Sequence, residues 1–475
     1  MKTGAWLINK LTFLVFLMVS PHLIYGQGWL DKLSKTIDKT AEVVNKGEKV
    51  ARDADRAGRE VGKVVKTVRS ITWKKDNSPN IKYEQIPDYK SQEEVGLSRN
   101  QKLQVENGEF KNLQWQPVTN FENQVFPSFI IGWANYTGEK KEDMGSSLGF
   151  KISTSLSNVV LKWEIECTDK RFFNIDSGYI NCDYLKAGSN FMPKISWDFR
   201  ALTKHSANAP VNLYFRLTDP NSNKRVERLV TINLRSINDC FFSYNGKSYD
   251  YLFASYVNEE HPKIDNLLRE MLNTNMINAV YGYQAETRSS VLVQVAALWR
   301  VLHDKGFQYS SITDNSANAG PNGLYSQTVR LIDNSLETRQ ANCVDGSVLI
   351  ASVLKRIGIE VALITTPNHC FLRFRSDPQN NNYLFLETTA LSDNRYLLKP
   401  AEHVAEYKKL LSEYDIPKVF KLDVKNQAYF LQFLSALEGG QNSYKQAIDK
   451  FGKEHVQAID LKEVRQFIKP IPAYQ

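Results

Sequence analysis

Residues 340–374 read QANCVDGSVLIASVLKRIGIEVALITTPNHCFLRF, and after an Asn-rich gap residues 383–390 read YLFLETTA. Val344, Val348, Ala351 and Leu354 to Ile357 recur at helical spacing, and Gly358 is placed to stop the helix. Cys343 falls in its first turn, where unpaired backbone N–H groups and the helix dipole favour a negative charge and hence a thiolate. After Gly358 the period becomes extended. Val361 to Thr366 is an apolar, β-branched run, residues 365–368 read as a turn, His369 to Phe374 is a second strand, and Tyr383 to Thr388 is a third. Consecutive strands with short connections usually pair, so His369 and Glu387 can lie side by side across an antiparallel pair.

A thiol, an imidazole and a carboxylate in that order of contact are the groups of nucleophilic acyl chemistry. The imidazole takes the thiol proton, the carboxylate orients the ring, and the thiolate attacks a carbonyl. The oxyanion needs a donor, for which the Cys343 N–H, Gln340 and Gln327 are the candidates. The plain reading of each residue is structural: a cysteine at a helix start is often a small buried hydrophobe, and Asp345 is a first-turn acid that suits the dipole. Cys370, next to His369, should face the opposite side of the sheet and belong to the core. That opposition works against a metal site built from Cys343, His369 and Cys370, and no metal or cofactor is expected.

A helix headed by Cys, a strand, a strand beginning with His and a strand carrying an acid together resemble the core of the transglutaminase-like superfamily of papain-like thiol enzymes. The stretch NCVDGSVLIASVLKRIGIEVALITTPNHCF is similar to its bacterial secreted members in particular. The resemblance implies Cys343 as nucleophile, His369 as base and Glu387 as the orienting acid, at a position where the family more often has Asp; Asp377 is the alternative acid. It implies a domain over residues 250–400.

The chain opens with MKTGAWLINK, an apolar LTFLVFLMVS and PHLIYGQ, which reads as a secretory signal peptide over 1–26 and implies a secreted or periplasmic protein with no later transmembrane domain. Five cysteines in 475 residues are too few for a disulfide framework, although Cys167 and Cys182 could pair. Residues 29–71 read as a basic amphipathic helix with 11 Lys or Arg against 7 Asp or Glu, half of the formal net charge of +8. Such a helix suits an envelope protein or an anionic surface as partner. No aromatic and basic interleaving points to nucleic acid.

Residues 72–105 read as a linker and 106–243 as a β-sandwich, with runs at Phe129 to Trp133, Leu148 to Ser153, Val159 to Cys167, Lys194 to Arg200, Val211 to Leu217 and Arg228 to Leu234. Helices are expected at Pro262 to Leu272 and at Ser289 to His303, the second packed on the nucleophile helix. A polar loop over 308–323 leads towards Cys343. Residues 401–475 read as a helical extension, with separate helices at Pro400 to Tyr414, Gln427 to Leu437, Tyr444 to Phe451 and Leu461 to Ile468. The expected fold is therefore multi-domain: a long N-terminal helix, a β-sandwich and an α+β papain-like domain. The expected function is extracytoplasmic hydrolysis of amide or peptide bonds in a peptide or protein substrate. Protein crosslinking is the enzymatic alternative, and an inactive envelope binding or assembly protein is the other.

Overall fold

Alternation of apolar and polar side chains builds the first half of the structure. The computed structural model describes residues 103–134, 147–185, 190–284, 288–310, 317–320, 323–377, 383–413 and 422–474. The expected signal peptide, basic helix and nearly all of the linker lie outside them. Six long strands follow in order: β1 (Leu113–Thr119), β2 (Leu148–Thr154), β3 (Val160–Cys167), β4 (Ile175–Asn181), β5 (Ala209–Thr218) and β6 (Arg225–Leu234). In β3, Leu161, Trp163, Ile165 and Cys167 are fully buried while Lys162, Glu164 and Glu166 lie nearer solvent. β6, β5, β3 and β4 pair antiparallel in that order, with the short strand Gln124–Val125 parallel on the outer edge of β6. β1 and β2 form a second sheet with Asn190–Phe191. Phe150 of β2 meets Trp163 and Phe215 of the first sheet at ring separations of 6.3 and 5.5 Å.

Two runs expected as strands are helical. Residues Pro127–Trp133 form α1, because Pro127 sits at the first helical position with φ preset and the apolar run is buried on all sides instead of on alternate ones. Phe199–Lys204 forms α2, capped by Asp198, whose side chain accepts the Ala201 N–H; the residues before it are irregular. Cys167 and Cys182 are both free. They sit at opposite ends of the β3–β4 hairpin, where Val160 faces Asn181 and Glu166 faces Ile175. Seven residues of strand are about 23 Å, far beyond what a disulfide spans.

β7 (Asp239–Tyr244) crosses the boundary expected near 243, because it pairs antiparallel with β8 (Leu324–Thr328). The helices α3 (Pro262–Asn273), α4 (Arg288–Asp304), α5 (Ile332–Thr338) and α6 (Cys343–Arg356) follow, and α6 packs on a four-stranded antiparallel sheet. That sheet has β11 (Tyr383–Leu386), β10 (His369–Arg375), β9 (Val361–Thr366) and β12 (Gln457–Asp460) in spatial order. α4 is apolar on nearly every side and so is buried all round. It packs chiefly on α3 and α8, not on α6 as expected. Its Trp299 lies 6.3 Å from the Phe433 ring and donates to Gln432 Oε1 at 3.2 Å.

The C-terminal segment is more than a helical extension. After α7 (Val404–Glu413) comes a single 28-residue helix, α8 (Val424–Phe451), in place of two expected pieces. It runs straight through Gly439 and Gly440. A Cβ on Gly440 would lie 2.5 Å from the Phe385 carbonyl carbon and 2.7 Å from the Leu386 nitrogen, so the glycine is needed for α8 to lie against β11. The chain then returns as β12 and occupies the edge of β9, which would otherwise present unpaired backbone groups. The described residues thus form an α+β structure with several sheets. Gly440→Ala should lower stability by about 1–3 kcal/mol, the usual cost of overpacking, in urea unfolding followed by far-UV circular dichroism. An unchanged midpoint would contradict the close approach.

Candidate active site

The site begins with the cap of α6. Asn342 Oδ1 accepts the N–H groups of Val344 and Asp345, each at 2.8 Å, and Asp345 Oδ2 accepts the Asn342 N–H at 3.0 Å. This reciprocal capping box fixes the first turn. Asp345 is fully buried, and burial pushes its carboxyl above the ordinary value against the pull of its hydrogen bonds. Arg330 answers that charge, donating from its backbone N–H to Oδ1 at 2.7 Å and from Nη1 to Oδ2 at 2.6 Å. Asp345 therefore acts as a clamp between the cap and the segment before α5. Among the described residues, the cap leaves the Cys343 N–H without a partner.

Gly346 sets what can lie against that turn. A Cβ there would come within 3.2 Å of Thr388 Oγ1 and 3.3 Å of Thr388 Cβ. The Ser347 and Thr388 hydroxyls both donate to the Cys343 carbonyl, at 2.7 and 3.4 Å. The 3-10 turn Thr388–Ser392, which follows β11, is thus seated on the first turn of α6. Glu387 immediately precedes that turn and faces the α8 side of the sheet.

His369 joins the two. Its Nε2 lies 2.7 Å from Glu387 Oε2, and Cys343 is the other group that acts on the charge of the ring. With Nε2 engaged, Nδ1 is the ring nitrogen left for the sulfur. Burial alone would lower the imidazole pKa, but Cys343 and Glu387 outweigh it and push His369 up to about 10. Burial would raise Glu387, yet the bonds from His369 and Thr389 hold its carboxyl below the ordinary value. The acid on the ring is Glu387 and not Asp377, whose carbonyl accepts from Arg375 Nε. Strand alternation carries Phe371, 5.6 Å from the His369 ring, to the same face. Cys370 is buried with the core, and burial pushes its thiol well up.

Gln340 is exposed with Oε1 3.5 Å from Arg330 Nη2, and Gln327 lies in β8 opposite Cys240. Among the described residues neither hydrogen-bonds to Cys343 or His369, and no group of three or more His, Cys, Asp or Glu is placed to hold a metal ion. A separate cleft of about 590 Å³ is lined by Arg171, Phe172, Asp198, Arg200, Lys204 and His205 and contains none of the triad. Sequence reading missed Arg330, Thr388, Thr389 and Ser443. Only Thr388 and Thr389 had a local signal, being next to Glu387.

Comparison with known proteins gives no match: no family model, no curated protein and no solved structure. No described helix is long and apolar enough to cross a membrane.

The charge state of the ring is open to measurement. In histidine-labelled protein, the His369 ring signal should titrate near pH 10 and fall towards the ordinary value of about 6.5 in Glu387→Gln. Because the folded pKa is raised, the stabilisation from this ion pair is fully present below about pH 6.5 and is lost as pH rises through about 10. A midpoint near 6.5 in the native protein would contradict the assignment.

Proposed function

We propose that this chain is an extracytoplasmic cysteine hydrolase of amide or peptide bonds, built on a papain-like core of the transglutaminase-like superfamily and preceded by a β-sandwich. The observation that carries the reading is the 2.7 Å contact of His369 Nε2 with Glu387 Oε2, on an imidazole whose charge also depends on Cys343. In the reaction the Cys343 sulfur attacks the carbonyl carbon, and the Cys343 N–H receives the oxyanion. The C–N bond breaks as the His369 imidazolium gives its proton to the departing amine. Water then adds to the thioester while His369 takes up its proton, the C–S bond breaks, and acid and thiolate are released. Glu387 keeps the ring aligned throughout, stabilises its charged form whenever it carries the proton, and does not exchange protons itself. Its extra methylene relative to Asp is accommodated because Glu387 is anchored from behind by α8.

Crosslinking differs only in the acceptor, an amine in place of water. A non-catalytic role in envelope binding or assembly is favoured by one observation, the 7 % exposure of Cys343. An activated ester such as p-nitrophenyl acetate separates these readings without knowledge of the substrate. The hydrolase should carry an acetyl group on Cys343 by peptide mass mapping, lose it to water within the assay, and form no adduct in Cys343→Ala. His369→Ala should slow acylation by about 100-fold or more, the usual worth of a general base. Preferential loss of the acetyl group to an added primary amine would move the reading to crosslinking. Acylation of Cys343 no faster than in His369→Ala would leave the binding role.

A further inference from the structure

Among the described residues, four donors reach the two oxygens of the Glu387 carboxylate. Oε1 accepts the Thr389 backbone N–H at 3.2 Å and the Thr389 hydroxyl at 2.7 Å. Oε2 accepts from His369 Nε2 at 2.7 Å and from the Ser443 hydroxyl at 3.0 Å. Each oxygen thus has two donors, the number its two lone pairs can take. Three of the four come from residues at or beside the strands of the site. The fourth is supplied from 56 residues further along the chain, by α8.

That helix is brought into reach by its own sequence. Gly439 and Gly440 lie four and three residues before Ser443, so all three share one helical face. A Cβ on Gly439 would sit 3.3 Å from Glu387 Cβ, and one on Gly440 would collide with the backbone of β11. The Glu387 N–H also donates to the Ala436 carbonyl at 3.0 Å. Tyr444, next to Ser443, stacks on Phe385 at 4.2 Å and 20°, which fixes the rotation of the helix over the strand. Two consecutive glycines cost a helix about 2 kcal/mol relative to alanine. Their presence in the middle of a 28-residue helix is explained by the contact they permit.

We propose that Ser443 is a positioning residue of the site: its hydroxyl holds the Glu387 oxygen that receives the imidazole, so that α8 sets the orientation of His369 towards Cys343. The proposal deepens the hydrolase reading and rests on it for its catalytic meaning, but the Ser443–Glu387 contact can be tested without any activity. A donor to the charged form of an acid favours that form, so its removal must make Glu387 easier to protonate.

The test uses the full mature protein, with Glu carboxyl carbons labelled and the Glu387 signal assigned by its loss in Glu387→Gln. In Ser443→Ala the protonation midpoint of Glu387 should move up by about one pH unit, the worth of one hydrogen bond to a charged group. Ser443→Thr, which keeps the hydroxyl, should restore it. The rate of Cys343 alkylation by iodoacetamide at pH 7, read by mass spectrometry in the same variants, should fall about fivefold in Ser443→Ala and recover in Ser443→Thr. A carboxyl midpoint equal in native protein and Ser443→Ala would overturn the proposal, even if His369→Ala still slows Cys343 and the hydrolase reading stands. If Cys343 shows no dependence on His369, the hydrolase reading fails and the carboxyl midpoint alone decides the role of Ser443. Thermal unfolding of each variant separates a loss of fold from a loss of orientation.

Discussion

The Glu387 carboxylate is withdrawn from water, with 12 % of its side chain exposed, and a charge in that place is sustained only by full hydrogen bonding and a nearby cation. The rest of the site can be read as the means of meeting that demand. Thr389 closes one oxygen, α8 contributes a hydroxyl to the other, and the remaining lone pair is left for His369. The imidazole is then held in its charged form. Two stretches distant in sequence, at 369 to 389 and at 443, are thereby tied to one pair of oxygens.

A second buried acid holds the first turn of α6 in place. Asp345 is only two residues from Cys343, where an unanswered charge would oppose a thiolate. Arg330 cancels it through both backbone and side chain, and the same carboxylate closes the helix cap. The result leaves the helix N-terminus free to act on the sulfur. Breaking a buried pair of this kind by removing one partner typically costs about 3–5 kcal/mol, so Arg330 and Asp345 belong to what holds the fold together.

What could be read from the sequence follows from which forces are local. The helix of Cys343, the strand of His369 and the position of Glu387 are all encoded within fifty residues, by periodicity and turn chemistry. Longer-range contacts were not legible. Phe129 to Trp133 has the composition of a strand, but complete burial and Pro127 make it a helix. The Gly439-Gly440 pair looks like a break between two helices, because the backbone of β11 that requires it lies more than fifty residues earlier. Ser443 carries no sequence signal at all, since one hydroxyl on a helix acquires a role only from what the fold places opposite it. β12 is a four-residue strand whose pairing with β9 depends on a partner almost a hundred residues away.

The account turns on whether His369 and Glu387 together govern the sulfur of Cys343. The most direct measurement is the rate of Cys343 alkylation between pH 5 and 11 in native protein, Glu387→Gln, His369→Ala and the double variant. The account predicts a native rate at neutral pH well above that of a free model thiol, a loss in each single variant, and no further loss in the double variant, because the two residues act as one unit. Equal rates in all four proteins, at the level of the model thiol, would contradict it.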